Sequence, residues 1–277
     1  MALSLMFPDF NPLAMTMGPI AIRWYALSYV VGICGGWWYI SFLTRQPSQR
    51  QKISKRQVED LVVWVTLGIV LGGRLGYVLF YKPLYFLACP LEILFLWQGG
   101  MSFHGGLLGV IIASVLFGRS QNLSILSLGD LLGCAAPFGL LFGRIGNFIN
   151  GELYGRPVSS ELPWAMIFPA AGPLPRHPSQ IYEALLEGAV LLLLLHIAWR
   201  IRSLRDRPGV LLGLFLIGYG VLRGIAECFR EPDAHMGFFL GGTTMGQWLS
   251  VPMIAGGGLL LGWIAYNGGR QEGGCGA

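Results

Sequence analysis

The chain has 277 residues, of which 54% are hydrophobic and only 12% are charged, about half the ~25% charged fraction of soluble globular chains. So few water-facing side chains cannot cover a soluble domain of this size. The composition points to an integral membrane protein with several spans, and excludes a disordered chain, a secreted disulfide scaffold and a cytosolic enzyme. The net charge of +5 is spread over short loops and span ends, so it reads as orientation by cytoplasmic positive charge and gives no nucleic-acid surface.

At the N-terminus, MALSLMFPDFNPLAMTMGPI has no basic leader region and no cleavage site ahead of the first long apolar stretch, which argues against a removable signal peptide. Phe7, Phe10 and the Met, Pro and Leu residues around them suggest an amphipathic segment at the membrane interface. A spanning helix needs about 20 mostly apolar residues, and seven segments qualify: 20–43, 59–81, 103–118, 125–146, 179–199, 209–228 and 245–267. Ser54 ahead of the second, Pro83 behind it and Pro208–Gly209 at the sixth supply start and stop signals. The expected fold is all-α and polytopic, with seven transmembrane helices in a single membrane domain, 1–277, and a small outward-facing cap at about 147–178.

Orientation follows from the basic residues. Arg45, Arg50, Lys52, Lys55, Arg56, Arg119, Arg200, Arg202, Arg205, Arg207 and Arg270 fall on one side, against Lys82, Arg144, Arg156, Arg176 and Arg230 on the other. The first side is expected to be cytoplasmic, which puts the N-terminus outside and the C-terminus inside. The glycines recur four residues apart at 68/72/76, 105/109, 139/143 and 220/224, a spacing that lets helix backbones approach closely. The alternative reading, backbone approaching a ligand, matters mainly for Gly99–Gly100 and Gly105–Gly106 around His104. The five cysteines form no CxxC pair, so neither a zinc site nor a disulfide framework is suggested, and no metal is expected.

An ionisable group inside a span costs at least about 2.5–3.5 kcal/mol and needs a partner or a purpose. Arg74, Arg144 and Arg223 sit in or near the ends of apolar runs. By the orientation above all three fall in the outer half of their helices, where a basic layer would attract an anionic headgroup. Each also has a plainer reading: Arg74 pairing with Glu92 or another carboxylate, Arg144 snorkelling, and Arg223 pairing with Glu227 one turn along. The densest polar stretch, GRIGNFINGELYGRP at 143–157, leaves its helix through residues tolerant of irregular backbone, which implies an outward-facing cavity near Arg144. His104, opening the third span, offers an imidazole able to take a proton near neutral pH. His196 reads as structural, His177 as folding the outer loop onto the fifth span, and His235 as a surface residue.

The strings GGRLGYVLFY, GGMSFHGGLLGV, GRIGNFINGELYGRP, LPRHPSQIYEALLEG and GYGVLRGIAECFREPD, in this order, closely resemble the bacterial prolipoprotein diacylglyceryl transferases. The resemblance runs from IAIRWYALSY to MGQWLSVPM. It implies an inner-membrane enzyme of seven spans that moves the diacylglyceryl group of phosphatidylglycerol onto the lipobox cysteine of a preprolipoprotein signal peptide, releasing glycerol phosphate without metal, nucleotide or other cofactor. Its expected partners are phosphatidylglycerol, those signal peptides and membrane lipid, with no nucleic acid. Carried over by position, Arg144 is the lipid-binding arginine and Arg223 the second essential one, while His104, Asn147, Glu152, Gly155, Tyr25 and Tyr219 occupy other positions the family depends on. The thiol base is His104 or a water held by Glu152. Arg74 and Arg230 are the outer-shell candidates around the phosphate, and Glu152, Glu227 and Glu231 are expected to orient the arginines. Because 158–176 is short, the periplasmic arm that some members elaborate there is expected to be reduced.

Two other classes fit the composition. A transporter for an anionic lipid would also need arginines in a membrane cavity, but such proteins commonly show two related halves, and no repeat is visible here. A retinal receptor would need a lysine in a span, and none lies in the seventh.

Overall fold

A computed structural model describes residues 5–11, 13–17, 20–45, 53–159, 161–232 and 237–273. All seven apolar stretches form helices: α1 (Trp24–Thr44), α2 (Lys55–Phe80), α4 (Phe103–Ser120), α5 (Ile125–Ile149), α6 (Ser179–Arg200), α7 (Val210–Ala226) and α8 (Met245–Gly273), with a short α3 (Pro83–Ala88) between the second and third. Six are long and apolar enough to cross a bilayer, and α7 is a shorter apolar helix. Their large apolar side chains point outward, as in the row Leu67, Leu71, Leu75 and Leu79 on α2. Buried polar groups lie inward, the reverse of a soluble fold and the arrangement lipid requires. The chain is an all-α polytopic membrane protein.

Several boundaries move for identifiable reasons. The first span was expected from residue 20, yet Ile20–Arg23 is a strand and the helix begins at Trp24. LAMTM (β2, Leu13–Met17) and IAIR (β3, Ile20–Arg23) pair antiparallel, with Met17 opposite Ile20. β1 (Leu5–Met6) runs parallel to β4 (Met166–Ile167), which pairs antiparallel with β5 (Pro175–Arg176). The described N-terminal segment is therefore extended, and Phe7 packs among Phe148 and Phe168, its ring centroid 5.4 and 5.1 Å from theirs. α2 starts four residues early, because Ser54 and Gln57 form a capping box over charged residues that hydropathy does not register. α5 continues helically through Asn147 to Ile149, so irregular backbone begins at Asn150, with Gly151 and Leu153 at positive φ.

The chain folds as two compact units, residues 40–129 and residues 1–39 with 130–277. In the smaller unit α2 and α4 cross backbone to backbone. A Cβ on Gly72 would overlap the Gly105 carbonyl, one on Gly109 the Gly68 carbonyl, and one on Gly76 would stand 2.8 Å from Gly105 Cα. Here the four-residue glycine spacing does what helix packing in lipid asks of it. In the larger unit Gly213 and Gly220 admit α8 against α7, and Gly188 admits α5, a Cβ there standing 2.8 Å from Leu141 Cα. Gly143 and Gly224 behave otherwise: among the described residues a Cβ on either would meet nothing within 4 Å, whereas Gly139, open at its own Cβ position, lies with its Cα 3.1 Å from where a Cβ on Gly32 would stand. Asp130 of α5 caps α7, its carboxylate accepting from Gly209 N at 2.7 Å and Leu212 N at 2.8 Å. A cap of this kind contributes about 0.5–2 kcal/mol and fixes the start of the helix that carries Tyr219 and Arg223.

Candidate active site

The fifth span is where charge enters the apolar interior. α6 is α-helical over Ser179–Glu183, turns π-helical over Ala184–Val190, and resumes as α-helix from Leu191. Such π-turns inside α-helices are frequent at functional sites. Glu183, at the end of the first segment, is 1% exposed, and Glu187, within the π-turn, is fully buried. Arg144 of α5 reaches both, because Gly188 lets α5 close on α6: Nε lies 2.8 Å from Glu183 Oε2 and Nη2 lies 3.5 Å from Glu187 Oε2.

Arg223 of α7 meets the same carboxylates from its own helix. Its Nη1 donates to Glu183 Oε2 at 2.9 Å and Glu187 Oε1 at 3.1 Å, and its Nη2 donates to Glu227 Oε1. Arg230 completes the group, with Nη1 3.6 Å from Glu183 Oε2 and Nε 3.9 Å from Glu227 Oε1. Thr244 Oγ1 donates to Glu227 Oε2 at 2.6 Å. Three arginines and three glutamates thus form one buried network, and a single oxygen, Glu183 Oε2, lies within ion-pair distance of three guanidinium groups. Arg144 does not snorkel, and the Arg223–Glu227 pairing is one contact among several.

Other residues singled out by sequence gather at the rim of this network. Asn147, one turn beyond Arg144, donates from its amide to Glu152 Oε1 at 2.8 Å, and Asn150 adds a second bond at 3.3 Å. Gln180 Nε2 holds the Glu152 carbonyl at 2.6 Å. Gly155 is bridged to Arg230, and its N–H donates to the His177 carbonyl at 2.9 Å. Arg156 donates to the carbonyls of Arg230 and Glu227 at 2.9 and 3.1 Å. Tyr25 stands beside Gly146 and hydrogen-bonds Tyr29 at 3.0 Å between hydroxyl oxygens. Tyr219 lies one turn before Arg223 and stacks with Phe215.

Two expected partnerships change. Among the described residues Glu152 is engaged by asparagine amides and not by an arginine, and Glu231 pairs with Arg176 at 3.1 Å.

His104 and Arg74 belong to the smaller unit. Arg74 is 4% exposed, and its guanidinium donates to five backbone carbonyls: Glu92, Ile93, Phe95, Gly99 and Gly100. A guanidinium has five N–H groups, so none is left over for a phosphate. Among the described residues the pairing with a carboxylate does not occur either: Glu92 contributes its carbonyl here and turns its carboxylate to the Tyr85 hydroxyl. Arg74 clasps the turns of 90–98, and thereby the approach to α4. His104 is exposed in the first turn of α4, after the Ser102 cap, with the Phe103 ring edge-on at 5.6 Å.

The remaining histidines take structural positions. His196 Nδ1 lies 3.0 Å from the Tyr39 hydroxyl. His177 Nδ1 lies 3.1 Å from the Tyr182 hydroxyl, tying the loop to α6, and burial pushes its imidazole below the ordinary histidine range. His235 lies outside the described residues. Cys34, Cys89, Cys134 and Cys228 are free thiols.

Glu183 and Glu187 were not anticipated as site residues. Their signal is the string EALLEG, two carboxylates four residues apart inside the apolar run 179–199. The bilayer cost that singled out the arginines applies to them equally.

A profile described as prolipoprotein diacylglyceryl transferase matches residues 12–263. Proteins named phosphatidylglycerol–prolipoprotein diacylglyceryl transferase are similar over almost the whole chain. That of Rhodospirillum rubrum is 60% identical over 257 residues, 93% of each chain. That of Paramagnetospirillum magneticum is 54% identical over 270 residues, 98% of this chain and 99% of the other. That of Gluconacetobacter diazotrophicus is 55% identical over 257 residues, 92% and 91%. The buried arginines, the GRIGNFINGELYGRP turn and this similarity agree, and the chain belongs to the prolipoprotein diacylglyceryl transferase family.

Proposed function

We propose that the chain transfers the diacylglyceryl group of phosphatidylglycerol to the lipobox cysteine of preprolipoproteins, working in the bacterial inner membrane with its N-terminus outside and its C-terminus in the cytoplasm. In this reaction the cysteine sulfur attacks the glyceryl carbon bonded to the phosphate oxygen. The S–C bond forms as that C–O bond breaks, the thiol proton passes to a base, and glycerol phosphate departs with additional negative charge. The nucleophile belongs to the substrate, so the enzyme's task is to hold the lipid, stabilise the leaving group and raise the thiolate fraction.

The observation that carries the lipid-binding half is the state of Arg144. Its Nε and Nη2 face carboxylates, while Nη1 has no partner among the described residues, and its side chain is 17% exposed. A guanidinium with one uncommitted edge suits a phosphate oxygen better than an ammonium does. Arg223 and Arg230 lie behind it and add positive potential where charge develops on the leaving phosphate. Asn147, Glu152, Gly155, Tyr25, Tyr219 and Glu227 shape this region. Arg74 fits a scaffold role better than phosphate binding. The excess of basic residues on one set of connections, eleven against five, supports the orientation.

His104 is the candidate base, on the chemistry of imidazole and the family resemblance. A cysteine thiol titrates near pH 8.5, so at neutral pH a base raises its reactive fraction. His104→Gln is expected to lower turnover by about 10²–10⁴-fold, the usual worth of a general base, while phosphatidylglycerol binding is retained. The deficit shrinks above about pH 8.5, where the thiol ionises unaided. A pH–rate series on both proteins checks this, and an unchanged rate removes His104 from the mechanism.

The reading as a whole is tested with purified protein, phosphatidylglycerol and a peptide carrying one lipobox cysteine, followed by mass spectrometry. A diacylglyceryl gain on the thiol, with glycerol phosphate released, is the expected result. A folded, lipid-binding preparation that gives no such gain would favour an anionic-lipid transporter or binding protein.

A further inference from the structure

Among the described residues the network around Glu183 is balanced in charge: Arg144, Arg223 and Arg230 face Glu183, Glu187 and Glu227. At its rim Arg156 and Glu152 add one charge of each sign. A site built only to bind an anionic lipid would gain affinity from unopposed arginines. Here two fully buried carboxylates are placed against the very arginines the phosphate would meet, and they come from a helix, α6, that supplies no cation to the network.

The reaction proposed above suggests why. Its substrate is a phosphodiester, with one negative charge. Its leaving group is a phosphate monoester, which takes a second charge once the C–O bond has broken, because the proton lost by the thiol need not return to it. Opposite charges attract in proportion to both, and more strongly where water is excluded. Bare arginines would therefore hold the product more tightly than the substrate.

We propose that Glu183, assisted by Glu187, is a positioning residue that also sets the charge of the arginine clamp. Its carboxylate fixes Arg144 and Arg223 in place and offsets enough of their charge for the monoester product to leave. The inference rests on the transferase reading. It also explains why Glu183 Oε2 lies within ion-pair distance of three guanidinium groups, since one buried charge in that position lowers the potential of all three at once.

The test is inhibition and direct binding of glycerol phosphate, measured with Glu183→Gln and Glu183→Asp beside the unaltered protein. Glutamine keeps the size and removes the charge, and aspartate keeps the charge. The expected result for Glu183→Gln is glycerol phosphate bound at least tenfold more tightly, with kcat lowered and KM for phosphatidylglycerol lowered or unchanged. Glu183→Asp should bind glycerol phosphate within about threefold of the unaltered protein. If Glu183→Gln does not fold, Glu187→Gln, which touches two arginines and not three, gives the same sign of change.

Charge-neutral variants that fold and bind glycerol phosphate no more tightly, or more weakly, would overturn the proposal, because a purely structural role can only loosen the site. Failure of the transferase reading is recognised separately. In that case the unaltered protein neither modifies the peptide nor binds glycerol phosphate, and the proposal falls with it.

Discussion

Arg144→Ala is expected to abolish phosphatidylglycerol binding and turnover together, with turnover falling by about 10²–10³-fold or more, the cost of losing one preorganised donor to a developing anion. Arg144→Lys should recover little, because an ammonium cannot keep Nε on Glu183 while presenting a second edge to phosphate. Removing one member of a buried ion pair can cost roughly 3–5 kcal/mol through the charge left behind. Glu183 would still be faced by Arg223 and Arg230, however, and Arg144 is partly exposed, so the stability loss should fall well below that range. Lipid binding, turnover and thermal inactivation of the two variants in detergent separate these terms. Full lipid binding by Arg144→Ala would remove the residue from the phosphate site and leave it a member of the ion network only.

What the sequence made legible, and what it did not, divides along physical lines. Seven apolar stretches are visible because the bilayer demands about twenty such residues in a row. The α2–α4 crossing is visible because glycines four apart on both helices present matching bare faces. The same spacing misleads at Gly143 and Gly224, where among the described residues no neighbouring atom lies within 4 Å of the missing Cβ. Spacing describes one helix and says nothing of what faces it. Hydropathy also runs through IAIR into the first span without registering that alternating Ile residues pair with LAMTM.

At the site, the arginines stand out as charges in lipid, and the counter-charges on α6 carry the same signal in EALLEG without the motif context that marks the arginines. The partners of Arg74 were beyond reach for a different reason. They are main-chain carbonyls of consecutive short turns, and backbone acceptors leave no mark in a sequence.

Gly155→Ala is the second change expected to have a large effect, and it acts without touching a charge. Segment 154–157 passes between two other stretches of chain. Gly155 N donates to the His177 carbonyl at 2.9 Å, Arg156 N donates to the Phe229 carbonyl at 2.9 Å, and Arg176 Nη1 donates to the Gly155 carbonyl at 3.1 Å. A Cβ on Gly155 would overlap the His177 carbonyl oxygen and stand 2.6 Å from that of Phe229. Both obstacles are backbone, so neither can rotate aside as a side chain could. One methyl group must therefore force apart the strand-like crossing that bridges to Arg230 and holds it toward Glu183.

Overpacking of this kind costs typically about 1–3 kcal/mol, and displacing positioned groups by about 1 Å can cost roughly 10²-fold in rate. We expect Gly155→Ala to lose about that much activity and to inactivate at lower temperature. Gly139→Ala is the matched control. Its Cβ would meet nothing, and alanine is favoured over glycine within a helix by about 0.5–1 kcal/mol, so this variant should be as stable as the unaltered protein or slightly more so. Thermal inactivation and initial rates of the pair decide the matter. A Gly155→Ala protein with unaltered rate and stability would mean that the crossing yields freely, and that Arg230 does not depend on it for its place at Glu183.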